Sequence, residues 1–267
     1  MLAIFALVQV IGVYCGYQYL GLIKSGEVKG PFDNPDSVTN SIFLFIYILF
    51  TTAIIILIIR FKKVLLKIFE AIAVFFASWI VFDFIVPYQI VGYTVPWGAI
   101  LALSLTVWKM FRPTIISQNV ALIFAVSGAG AVIGGSLGVL PVIIFLLILS
   151  AYDFVSVFLT KHMVYMAKAI TETPMAFTAA VPVKTKNFSH VFQLGGGDLV
   201  MPLILSVSVL GRFGLYHALI TTLGGFIALA VLFYYVLKSP GQPLPALPPI
   251  SAGACLGFVA SVLLLGA

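Results

Sequence analysis

The run Pro141–Thr160, PVIIFLLILSAYDFVSVFLT, holds one acidic or basic residue, Asp153, in twenty. A helix of about 20 apolar residues matches the hydrocarbon core of a bilayer, and nothing after Pro141 interrupts this one. A carboxylate inside such a span is costly and is by default a functional candidate. The rest of the chain has the same character. Of its 267 residues 62% are hydrophobic and 8% charged, against roughly 25% charged in a soluble domain. A water-soluble globule is excluded. The Lys and Arg residues are sparse and interrupted by apolar runs, so no nucleic-acid footprint exists.

Apolar runs bounded by charges and by Pro or Gly predict an all-α polytopic membrane protein, one membrane domain over 1–267. Nine spans fall near 2–22, 41–59, 64–86, 92–110, 115–138, 141–160, 191–210, 215–237 and 244–267. The first reads as a retained span, because no basic residue precedes Leu2–Ile23 and no small-residue cleavage site follows. With nine spans, eleven basic residues (Arg60, Lys62, Lys63, Lys67, Lys109, Arg112, Lys161, Lys168, Lys184, Lys186 and Lys238) lie on the N-terminal side. Three, Lys24, Lys29 and Arg212, lie opposite. That imbalance predicts a cytoplasmic N-terminus and an extracytoplasmic C-terminus. Residues 161–190 read as a mobile cytoplasmic loop with a short surface helix near Met163–Ile170. Its Asn187-Phe188-Ser189 should go unglycosylated on that face. Gly130, Gly134 and Gly138 suggest close helix packing, and Cys15 and Cys255 should only pack. No internal repeat pairs the two halves.

Sorting the eight acids isolates two. Glu27, Asp33, Asp36 and Glu172 fall in loops, Glu70 reads as the ion-pair partner of Lys67 one turn away, and Asp83 as an interfacial residue before Pro87. Asp153 lies about 18 Å along the sixth span and Asp198 about 10 Å along the seventh, which runs the other way. The two thus reach similar depth on consecutive antiparallel spans. Neighbouring carboxyls share a proton more readily than both ionise, and such a pair can activate water and polarise a carbonyl without metal or covalent intermediate. His162, His190 and His217 are scattered, and neither HExxH, Cys/His metal spacing nor GxSxG occurs. No cofactor or metal is expected. Leu194-Gly195-Gly196-Gly197-Asp198 runs into Leu199-Val200-Met201-Pro202, which is not a phosphate loop. Its glycines would admit a second chain beside the carboxylate or serve close packing. Pro240–Pro249 carries five prolines, which forbid a regular helix and force extended backbone that could pair with an unwound substrate strand. The acids alone also permit a proton-coupled transporter using them as a relay, or a prepilin/preflagellin-type peptidase.

Taken in order, Tyr152-Asp153, Gly195-Gly196-Gly197-Asp198 and Pro245-Ala246-Leu247 resemble the YD, GxGD and PAL motifs of the presenilin and signal peptide peptidase family of intramembrane aspartyl proteases. The resemblance covers essentially the whole chain. It implies that Asp153 and Asp198 are a catalytic pair, that Tyr152, Gly195, Gly196 and Gly197 shape the site, and that Pro245, Ala246 and Leu247 contact substrate. It implies transmembrane substrates in a lipid bilayer and no nucleic acid. Gly196 fills the variable position of GxGD, and the loop between the Asp-bearing spans is short. The chain therefore reads as a compact microbial presenilin homologue expected to act without accessory subunits, with homo-oligomerisation left open.

Overall fold

In the computed structural model, residues 1–61, 63–86, 89–90, 93–94, 96–158, 178–185, 188–238 and 245–266 are described. Among them are nine helices: α1 (Leu2–Ser25), α2 (Thr39–Phe61), α3 (Lys63–Ile85), α4 (Trp97–Phe111), α5 (Ile115–Gly135), α6 (Val139–Phe158), α7 (Gly196–Phe213), α8 (Leu215–Lys238) and α9 (Leu247–Leu265). Seven of these are long and apolar enough to cross a membrane. The other two, α2 and α4, carry shorter apolar stretches, Thr39–Ile55 and the whole of Trp97–Phe111. Val10, Phe43, Tyr47, Leu147, Val231 and Leu263 are among many large side chains exposed on the outside, as expected of surface that meets lipid.

Lipid tails are as apolar as leucine, so helices in a membrane associate by close packing instead of by hydrophobic exclusion. Small residues serve that purpose here. A Cβ at Gly224 of α8 would collide with the Gly253 carbonyl of α9, and one at Gly257 would come within 2.7 Å of the Ile220 carbonyl. Of the glycines singled out in the sequence, Gly130 receives Leu203 of α7 and Gly134 lies 2.7 Å (Cβ position) from the Ile204 carbonyl. Gly138 lies beyond α5 and packs on Asp36 instead. Leu203 and Val207 of α7 belong to a buried cluster with Phe5 and Val8 of α1, which makes α7 the central helix.

Polar ties sort the helix ends onto two faces. On one, Gly138 N–H donates to Pro35 C=O at 2.9 Å, Ser41 Oγ to Pro141 C=O at 2.6 Å and Ser208 Oγ to Leu137 C=O at 2.7 Å. Exposed Arg212 and Asp36 approach to 3.6 Å there. The opposite face carries the starts of α5, α7 and α9 and the end of α6. Glu70 pairs with Lys109 of α4, not with Lys67, and both partners are buried. The α3–α4 contact brings them together across two helices, which spacing along one helix could not reveal.

Three expected boundaries shift, each for a local reason. The fourth helix starts at Trp97, not near 92, because Tyr93–Thr94 forms β2 against β1 (Gln89–Ile90) and Pro96 precedes the helix. The seventh starts at Gly196, not 191. Thr178–Thr185 (β3) and Phe188–Gly195 (β4) form an antiparallel hairpin instead of mobile loop and span. Val, Thr and Phe favour strand, and three glycines disfavour extending the helix backward. Finally, Pro248 and Pro249 lie inside the first turn of α9, where the N–H groups that proline lacks have no intrahelical acceptor anyway. The prolines at 240 and 243, residues 163–170 and Asn187 lie outside the described residues.

Candidate active site

Asp198 is the third residue of α7, whose N-cap is Gly195. Its carboxylate turns back to accept the Gly195 N–H, the reach-back of a capping box. The positive end of the helix dipole favours a carboxylate there. The turn is tight: a Cβ at Gly195 would lie 3.2 Å from Asp198 Oδ2. Asp198 is therefore a first-turn residue at the junction of strand and helix, and not seven residues inside a span. Two further groups shape that turn. Pro202, inside α7, offers no N–H to the Asp198 carbonyl four residues earlier. Buried Gln9 of α1 donates from Nε2 to the Leu199 carbonyl at 3.0 Å.

Asp153 lies near the end of α6. Its Oδ2 accepts the backbone N–H of Leu247 at 3.3 Å, so the Pro245-Ala246-Leu247 segment reaches one of the two acids directly. The Leu247 side chain is buried in a cluster with Leu146 and Leu149 of α6 and Met201 and Leu205 of α7, and Ala246 packs on the cluster containing Leu199. Pro245 is half-buried at the edge. The two acids stand on neighbouring helices that pack together through Leu146 and Leu149 of α6 and Met201 and Leu205 of α7. Thus α6, α7 and α9 bring together Asp153, Asp198, Gly195 and Leu247.

The other expected residues surround this centre. Tyr152 meets Phe45 of α2 edge-on, ring centroids 6.0 Å apart, which ties α6 to α2. Gly196 is the half-buried first residue of α7. Gly197 is exposed, and among the described residues a Cβ there would meet nothing within 4 Å. Among the described residues, no group of three or more His, Cys, Asp or Glu side chains could hold a metal ion. Gln9 and the hairpin escaped the sequence reading. A glutamine in the middle of an apolar run was the available signal for the first.

The family model for signal-peptide peptidase and presenilin aspartyl protease matches residues 2–267. The chain belongs to this family. It is an intramembrane aspartyl protease, a multi-pass membrane hydrolase whose family acts on transmembrane substrates in the bilayer. Two solved structures, each described as a presenilin family intramembrane aspartate protease, are similar over 99% of this chain and 96% of theirs. The one in space group P2 has TM-score 0.72 at 25% identity, and the one in C222 has 0.70 at 22%. A search of the curated proteins gave no match. Membership decides among the three chemistries the acids allowed, and gives this protease the polytopic helical fold of its relatives.

Proposed function

We propose that Asp153 and Asp198 are the catalytic pair of this protease. The observation that carries the reading is that the two acids stand on packed neighbouring helices, Asp153 accepting the Leu247 N–H of the Pro245-Ala246-Leu247 segment and Asp198 the Gly195 N–H. One carboxylate removes a proton from water as the oxygen attacks the scissile carbonyl carbon. The other, protonated, hydrogen-bonds the carbonyl oxygen and stabilises the tetrahedral intermediate. A proton then passes to the departing amide nitrogen as the C–N bond breaks. The Leu247 and Gly195 N–H groups orient the two acids, Tyr152 holds α6, and the glycines leave room for the chain being cut. Pro245, Ala246 and Leu247 form one wall of the substrate path.

A helical peptide bond is shielded by its own hydrogen bonds, and each backbone group left unsatisfied in hydrocarbon costs several kcal/mol. The protease must therefore replace them. The outer edge of β4, which runs without a break into Gly195 and Asp198, offers main-chain partners to an unwound substrate segment, the strand-addition mode of recognition. Residues 1–267 act as a single membrane domain without accessory subunits, whether monomeric or self-associated. The N-terminus is cytoplasmic by the eleven-to-three distribution of basic residues, so cleavage occurs toward the cytoplasmic face. Asp153→Asn and Asp198→Asn should each abolish cleavage of a transmembrane reporter in liposomes while the protein stays folded. Near-normal cleavage by either variant would overturn the assignment.

A further inference from the structure

The two outer edges of the β3–β4 hairpin are treated differently. In an antiparallel pair each residue points both its N–H and its C=O either at the partner strand or away from it. Asn119 of α5 takes both groups of Ala180. Its Nδ2 donates to the Ala180 C=O at 2.7 Å and its Oδ1 accepts the Ala180 N–H at 2.9 Å. The polar groups of Ala180 therefore point away from β4, and by alternation so do those of Thr178 and Pro182. Gln118 Nε2 donates to the Thr178 C=O at 2.6 Å and to its Oγ1 at 3.0 Å. Pro182 has no N–H to offer. Along the outward edge of β3, Ala180 thus has both groups taken, Thr178 has its C=O taken, and Pro182 lacks a donor.

The residues opposite them in register are Gly195, Gln193 and Val191, whose N–H and C=O point outward from β4. The Gly195 N–H is taken by Asp198. The Gln193 side chain is exposed, and no α5 side chain covers its main chain among the described residues. Proteins blunt the sheet edges that must not pair, and here the blunted strand is β3, not β4, which runs directly into Asp198. The clamp itself is precisely seated in sequence terms: Thr114 caps α5 by accepting the Ser117 N–H at 3.2 Å, which sets Gln118 and Asn119 just past the first turn.

We propose that Asn119, assisted by Gln118, is a positioning residue for proteolysis. Its carboxamide stands in for a third strand on β3, fixes the hairpin on α5 and leaves β4 as the edge a substrate strand joins. Because Gly195 is both the last residue of β4 and the N-cap of α7, slack in the hairpin moves Asp198. The proposal rests on the reading that β4 receives unwound substrate.

The test uses the full chain in liposomes with a transmembrane reporter, reading kcat, KM, cut positions by mass spectrometry and melting temperature. Asn119→Leu should lower kcat/KM by about tenfold or more, since displacements near 1 Å can cost ~100-fold, and should spread cleavage over neighbouring bonds. Asn119→Asp keeps the acceptor for the Ala180 N–H but loses the donor, and should fall between. Pro182→Ala restores an outward N–H on β3 while leaving α5 untouched, and should also spread the cuts. Wild-type KM and cut pattern in both Asn119→Leu and Pro182→Ala, with activity following only the folded fraction, would overturn the proposal. A reporter N-methylated at the amides flanking the scissile bond separates the two levels. If it is cleaved like its parent, pairing with β4 is wrong; if it resists cleavage while the Asn119 variants behave as wild type, the positioning role alone is wrong.

Discussion

Gly195 and Gly197 stand two residues apart and call for opposite consequences on substitution. A methyl at Gly195 would press on Asp198 Oδ2 from 3.2 Å, although its backbone, φ −63° and ψ 145°, suits any residue. Gly195→Ala should therefore leave the melting temperature near wild type and lower kcat, on the order of tenfold for a carboxylate displaced by a fraction of an ångström. At Gly197 a methyl meets nothing among the described residues. Gly197→Ala should fold normally and, on the proposed role of these glycines in admitting substrate, raise KM; unchanged steady-state kinetics would show that the space is idle. The two acids were legible in the sequence because only eight exist and six have ordinary explanations. The donors that orient them were not. Leu247 N–H and Gly195 N–H are main-chain groups, which every residue but proline carries, so no residue type announces them.

Between elements, the buried Glu70–Lys109 pair joins α3 to α4. Breaking a buried ion pair by removing one partner typically costs about 3–5 kcal/mol. Lys109→Met should lower the melting temperature markedly, and adding Glu70→Gln should recover most of the loss; no difference between single and double variants would contradict this. Spans were legible as elements because apolar length is a strong signal. The hairpin was not, since its strands lie beside a Lys- and Pro-bearing segment that reads as loop, and Val191–Leu194 continues smoothly into an apolar run. Strand pairing depends on residues that only the fold brings opposite one another. Pro248 and Pro249 misled in the other sense: their number suggested extended backbone, whereas their position in the first turn of α9 is compatible with helix.

Across the whole molecule, the proposed topology puts the hairpin, both acids and the Leu247 segment on the cytoplasmic side. Lys29 and Lys238 are exposed at opposite ends of the bundle. With Cys15 and Cys255 replaced by serine, Lys29→Cys should react with an impermeant thiol reagent added to intact cells, and Lys238→Cys only after permeabilisation. The reverse pattern would invert the topology. The central claim concerns the whole fold as well, because α6, α7 and α9 must converge for two acids 45 positions apart in the chain to work as one. Groups that act as a unit are strongly non-additive. The most direct measurement is the single-turnover cleavage rate of Asp153→Asn, Asp198→Asn and the double variant on one reporter in liposomes. The pair acting together predicts that each single change removes activity and the double is no worse than either. Substantial activity in one single variant, or losses that multiply in the double, would contradict it.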